Sequence, residues 1–243
     1  MQLVKLLNIF HNSKKVDTSD MNNNEFTRLI DSISECPGFI LRHEFFNSAV
    51  LMPIVEIGGE LHFLFEKRAM NIRQEGEICF PGGRFDPDFD SSYQDTAIRE
   101  TIEELGITED DIKISKQLGI LVAPMGVAVE AFIGEIIDYD SLNLEIDLAE
   151  VEKIFTIPIE YFRKNKPTKY HVRIQVNSGY TDENGNYIEL LPVKKLGLPE
   201  KYSNPWRGRK QHVLVYEGME DTIWGITAEL ISEFISKLER ANR

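Results

Sequence analysis

Apolar residues recur along this chain with two periods, and the boundary between the two is sharp. A period of two, or an unbroken apolar run, marks strands. Ser48 to Ile57 (SAVLMPIVEI) and Leu61 to Lys67 (LHFLFEK) are such runs. Gly58-Gly59-Glu60 between them reads as a hairpin turn. Ile112 to Val122 and Val127 to Ile136 come next, split by Ala123-Pro124-Met125-Gly126. After an acidic loop from Tyr139 to Leu148, Glu150 to Pro158 reads as strand and Ile159 to Lys164 as a short helix. Tyr170 to Val176 and Tyr187 to Leu191 alternate and flank Asp182-Glu183-Asn184-Gly185-Asn186, which predicts a hairpin; Gln211 to Tyr216 is a further strand. The helical period of 3.6 rules Ser91 to Leu105, where Ala97, Ile98, Thr101, Ile102 and Leu105 form one stripe closed by Gly106. It returns in Gly225 to Leu238, with Ile226, Leu230, Ile231, Phe234, Ile235 and Leu238 inward. Near the start, Val4, Leu7 and Phe10, then Phe26, Leu29, Ile30 and Ile33, suggest short docking helices ended by Cys36-Pro37-Gly38. Many strands, few helices and no sustained βα alternation predict an α+β fold. The expected division is an N-terminal helical extension over 1–43 and a main domain over 44–243, with 166–222 an inserted hairpin region.

Composition narrows the partners. The chain has 243 residues, long enough for a full core, and its net charge is −13. Such acidity argues against nucleic acid or an anionic membrane surface as a partner. An anionic small molecule would then be met locally, by a cation and a few arginines. Two cysteines, Cys36 and Cys79, make no disulfide framework and suit a reducing cytoplasm. Cys79, inside the apolar ICF run, reads as a small buried hydrophobe. The N-terminal stretch lacks the basic start and small-residue site of a signal peptide, and no run nears membrane-spanning length. A homodimer is left open.

The chemistry concentrates in Phe80 to Ile107, FPGGRFDPDFDSSYQDTAIRETIEELGI. On the Ser91–Leu105 helix, Glu100, Glu103 and Glu104 share a face opposite the apolar stripe, with Arg99 beside them. Like charges at such spacing repel. A bare Glu-x-x-Glu-Glu is most simply a solvated acidic face; the alternative is a site for a hard divalent cation, Mg²⁺ or Mn²⁺. Arg68, Arg73 and Arg84 surround the glycine turn and offer planar forks to phosphate, or are ordinary surface arginines.

The whole string resembles the signature of the Nudix hydrolases: Gly, five residues, Glu, seven residues, then Arg-Glu-U-x-Glu-Glu-x-Gly-U, with U aliphatic. Arg99, Glu100, Glu103, Glu104, Gly106 and Ile107 match it, and Gly83 is the leading glycine. Thr101 takes an aliphatic position, and two extra residues separate Gly83 from Arg99. Ser91 stands where the first Glu belongs, leaving Asp90 as the nearest acid that could pair with Arg99. The upstream stretch RAMNIRQEGEICFPGG is similar to that of the coenzyme A pyrophosphatase subfamily, one residue short between Arg73 and Gly76. EVEKIFTIPIEYF and IWGITAELI resemble later segments of the same subfamily.

The resemblance implies a mixed sheet in an α/β/α sandwich, and metal-dependent hydrolysis of a diphosphate linkage. It implies Glu100, Glu103 and Glu104, with the Gly83 carbonyl, as ligands of Mg²⁺ or Mn²⁺, and Arg99 as the group orienting Glu100. Glu100, Glu103 or Glu150 would act as base, Glu150 being the first candidate from a later loop. Arg68, Arg73 and Arg84 would bind substrate; Phe80 and Trp224 read more simply as core. The implied substrate is coenzyme A or acyl-CoA, giving 3′,5′-ADP and (acyl-)4′-phosphopantetheine. Two alternatives stand beside it. One is a Nudix pyrophosphatase for NADH, ADP-ribose or a dinucleoside polyphosphate. The other is a non-catalytic Nudix module that binds a ligand.

Overall fold

The computed structural model describes residues 30–31, 39–70, 72–218 and 220–241. The chain forms two compact units, residues 1–42 and 43–243. The apolar stripes expected near Val4 and Phe26 lie outside the described residues, apart from a helical Ile30-Asp31. Every strand among the described residues belongs to the second unit.

The centre of this second unit is a seven-stranded mixed sheet. β1 (Phe46–Ile57) runs through the middle, parallel to β6 (Val127–Ile136), which pairs antiparallel with β5 (Ile112–Ala123). The other edge of β1 is shared. Its C-terminal half pairs with β2 (Glu60–Arg68) from Ile54 to Ile57, and its N-terminal half pairs with β4 (Gly82–Arg84) from Ser48 to Val50. β2 continues away to pair with β3 (Ile78–Cys79) and β7 (Val151–Pro158). The sheet therefore forks at Leu51, whose N–H donates to the Pro81 carbonyl at 2.9 Å in the turn joining β3 to β4. The β1–β2 hairpin turns on Gly58 and Gly59, both at positive φ, as a two-residue turn matched to strand twist demands.

β1 is apolar on consecutive positions because both its faces are covered. Ala49, Leu51 and Val55 join Leu64 of β2 and Phe132 under α1 (Tyr93–Leu105). Met52 joins Phe63, Phe65, Phe80 and Phe162 on the other face, under α2 (Ile159–Lys164) and α3 (Gly225–Ala241). Helices on both sides of a mixed sheet make the α/β/α sandwich of an α+β protein, closed by a C-terminal helix. Phe63 meets four rings with centroids within 5.0–6.1 Å. Burying such a side chain contributes about 2 kcal/mol or more.

Three readings of the periodicity need correction. Tyr170 to Val176 does not pair with Tyr187 to Leu191. β8 (Thr168–Val176) pairs antiparallel with β11 (Trp206–Tyr216), which also pairs with β12 (Ile223–Trp224). The turn Asp182–Asn186 instead joins two short strands, β9 (Gly179–Thr181) and β10 (Tyr187–Glu189). A hairpin turn fixes only the residues beside it, and alternation does not name the partner strand. In α1 the buried stripe is Thr96, Ala97, Thr101, Glu104 and Leu105; Ile98 and Ile102 lie on its flank, half-buried. Trp224 is 46 % exposed rather than core, while Phe80 is buried at 2 %.

Candidate functional site

The fork in the sheet sets the site. Gly82 fits there because its φ of 154° and the Ala49 carbonyl beside it leave no room for a Cβ. The chain then descends through a loop to Ser92, whose hydroxyl accepts from the Asp95 N–H at 3.2 Å and caps α1. Gly106 closes the helix in the left-handed conformation, its N–H donating to the Ile102 carbonyl. These two ends fix which way the glutamates of α1 point.

Arg99 is the hub of the outer layer. Its Nε and Nη2 donate to the two oxygens of Asp90 at 2.9 and 3.0 Å, a bidentate pair. Its Nη1 donates to Glu100 at 2.8 Å and to Glu103 at 3.3 Å. Asp90 also accepts from the Asp86 N–H and the Thr96 hydroxyl, and its side chain is fully buried. The Arg99 guanidinium, more than any other group, holds the Asp90 carboxyl down at about 2. Asp90 thus makes the arginine contact for which the Nudix pattern uses a glutamate.

Glu100 lies against Gly83 so closely that a Cβ there would overlap its carboxylate. Burial raises the Glu100 pKa, against the pull of Arg99. Glu103 is at the rim, its side chain 59 % exposed. Glu104 is deeper: it is buried and accepts from the Gly82 N–H at 2.8 Å. The solvated-face reading therefore fails for Glu104, which belongs to the buried stripe.

Beneath these lies a residue that the periodicity did not single out. Glu66, on β2, is fully buried on the same sheet face as Leu64. Its Oε1 accepts from the Cys79 thiol at 3.1 Å, so Cys79 is a polar partner here and more than a filler of space. Arg68 Nη1 is 4.0 Å from the same oxygen. Its Oε2 has no hydrogen-bond donor. The carboxyl within reach is that of Glu104. Burial, then the charge of Glu66, pushes the Glu104 carboxyl well above the usual carboxylate range, and burial pushes Glu66 up as well. The one available signal was a charged residue at an inward position of a strand covered on both faces.

The remaining candidates spread outward. Glu150 is exposed, with its carbonyl accepting from the Ala69 N–H at 2.8 Å; its carboxylate repels both Glu66 and Glu100. Arg68 Nε donates to the Arg73 carbonyl at 3.1 Å, tying the two arginines' loop together. Arg73 and Arg84 both lie over the Phe46 ring, at 5.1 and 5.9 Å from its centroid. A cavity of about 280 Å³ beside α1 is lined by Ile98, Arg99, Ile102 and Glu103. Another of about 430 Å³ is lined by Glu75, Glu77, Asp221 and Trp224, an acidic wall ill-suited to a diphosphate.

As the side chains stand, no three His, Cys, Asp or Glu groups among the described residues converge on a point that could hold a metal ion. Arg99 draws Glu100 and Glu103 to itself, and the Gly82 N–H engages Glu104. The donor set nevertheless fits a hard divalent cation. Glu66, Glu100 and Glu104 are carboxylates whose negative charge burial disfavours, and one buried oxygen lacks any donor.

Residues 46–127 match the model of the NUDIX domain. The chain is 38 % identical over 130 residues to a Nudix hydrolase 3 of Caenorhabditis elegans, covering 51 % of this chain and 53 % of that protein. It is 31 % identical over 132 residues to a peroxisomal coenzyme A diphosphatase of Mus musculus, covering 54 % of each. It is 27 % identical over 196 residues to a mitochondrial coenzyme A diphosphatase of Homo sapiens, covering 79 % of this chain and 69 % of that protein. The chain spans about half the length of the first two of these relatives. No helix among the described residues is long and apolar enough to cross a membrane.

Proposed function

Because residues 46–127 match the NUDIX domain, we propose that the chain is a Nudix hydrolase that cleaves the diphosphate linkage of coenzyme A or acyl-CoA. The products are 3′,5′-ADP and (acyl-)4′-phosphopantetheine. The observation that carries the chemistry is the carboxylate cluster beside Gly82 and Gly83, with Glu66 and Glu104 buried and Glu100 half-buried against Gly83. The likeness to two coenzyme A diphosphatases supports the substrate.

Glu100, Glu103 and Glu104, with the Gly83 carbonyl, would hold Mg²⁺ or Mn²⁺. Such a cation, when bound, neutralises charge on the diphosphate oxygens and makes an attacking water more acidic. Arg99 fixes the Glu100 carboxylate through the 2.8 Å bond, and Asp90 fixes Arg99 in turn. Arg68, Arg73 and Arg84 supply donors for the phosphates, with the Phe46 ring steadying the last two. Glu150, exposed and facing Glu66 and Glu100 electrostatically, takes the proton of the attacking water. A cytoplasmic setting, in keeping with the cysteine usage, belongs to the same reading.

Turnover of coenzyme A, acetyl-CoA, NADH, ADP-ribose and diadenosine tetraphosphate, measured side by side with Mn²⁺, tests the substrate. The expected order puts the two coenzyme A compounds first. Brisk ADP-ribose cleavage without coenzyme A cleavage would overturn it. No turnover of any of them would favour a binding module.

A further inference from the structure

We propose that Glu66 contributes a carboxylate oxygen to the cation that Glu104 holds, making the inner metal ligand set of this chain extend beyond α1 onto β2. This rests on the reading of Glu104 as a metal ligand. Three observations carry it. Glu66 is fully buried, and a carboxylate there with one oxygen left unpartnered is costly. Its Oε2 has no hydrogen-bond donor, the Cys79 thiol occupies Oε1 at 3.1 Å, and the Glu104 carboxyl lies within reach of the Glu66 side chain. Its place on β2 is rigid, since Glu66 pairs with Cys79 of β3 on one side and with Ile154 of β7 on the other.

The neighbouring cation does not remove the need. Arg68 approaches only to 4.0 Å, and on the Oε1 side. Its Nε is engaged by the Arg73 carbonyl. A hard divalent ion between Glu66 and Glu104 would satisfy both facing carboxylates at once.

Mn²⁺ binding, read by the loss of the free-ion electron paramagnetic resonance signal, tests the assignment without reference to turnover. The wild type, Glu66→Gln, Glu66→Asp and Glu104→Gln are titrated at one pH, each checked for folding by circular dichroism. Glu66→Gln keeps the shape and removes the charge, so Mn²⁺ affinity should fall roughly 10-fold to 100-fold, the range seen when a metal site loses a supporting group. Glu66→Asp keeps the charge on a side chain one methylene shorter and serves if Glu66→Gln does not fold. It should bind Mn²⁺ several-fold more weakly than the wild type. Wild-type affinity in whichever Glu66 variant folds, beside weakened binding in Glu104→Gln, would overturn the role of Glu66 and leave the α1 site standing. Absence of Mn²⁺ binding by the wild type would instead overturn the metal reading itself, and the inference with it.

Discussion

Replacing Asp90 by Asn isolates the strongest ion pair in the site. The perturbation removes one charge and leaves the shape. Asp90 is held at about 2 against an ordinary aspartate value of 3.8, chiefly by Arg99. At about 1.4 kcal/mol per pKa unit, this favours the folded state by about 2 kcal/mol at neutral pH. The folded value lies below the unfolded one. The contribution is therefore complete above about pH 5, and it is lost as the pH falls through 3.8 toward 2, with about 1 kcal/mol left at pH 3. Urea denaturation of wild type and Asp90→Asn at pH 7, 5 and 3 measures it. The variant should be less stable by about 2 kcal/mol at pH 7 and 5, with the gap narrowing by about half at pH 3. Equal stability at pH 7, or a gap that stays constant to pH 3, would refute the assignment of Asp90 as the anchor of Arg99. A gap present at pH 7 with unchanged catalytic rate would separate the stability role from the orientation of Glu100.

Two more outcomes are expected from the same geometry. Gly83→Ala places a methyl where the Glu100 carboxylate now lies; the flexible side chain yields, so stability should drop only by about 1 kcal/mol, while metal-dependent turnover should fall about 100-fold, and wild-type kinetics would contradict the contact. In EDTA, the raised values of Glu66 and Glu104 mean that the folded state holds protons that the unfolded state releases near 4.5. Stability should then decline as pH rises from 5 to 8, and Mn²⁺ should flatten that decline; a thermal melt that is flat in EDTA over this range would count against the buried carboxylate pair.

Much of the fold was legible because the elements that build the site are locally complete. The Gly58-Gly59 turn, the Ser92 cap and Gly106 mark ends that local chemistry dictates, and the strands around them are set by apolar runs. Pairing beyond adjacent strands was not legible. β8 and β11 are separated by some thirty residues, and nothing in either run names the other. Within the site, the acidic face of α1 was readable from spacing, and so was the chance that Asp90 stands in for a missing glutamate. Two features needed the third dimension. Glu104 is buried although it shares a helical arc with exposed Glu103, because the fork between β2 and β4 opens beside its turn. Glu66 looked like one polar residue in a strand, and only the covering of both sheet faces makes its charge anomalous.

The carboxylates of α1, on this reading, exist to hold a cation against a diphosphate. Anomalous diffraction from crystals soaked in Mn²⁺ tests that most directly. The expected map has a strong peak bounded by Glu100, Glu104 and the Gly83 carbonyl, with Glu100 withdrawn from Arg99 toward the ion. A map without that peak, with Glu100 still bonded to Arg99 under saturating Mn²⁺, would contradict it.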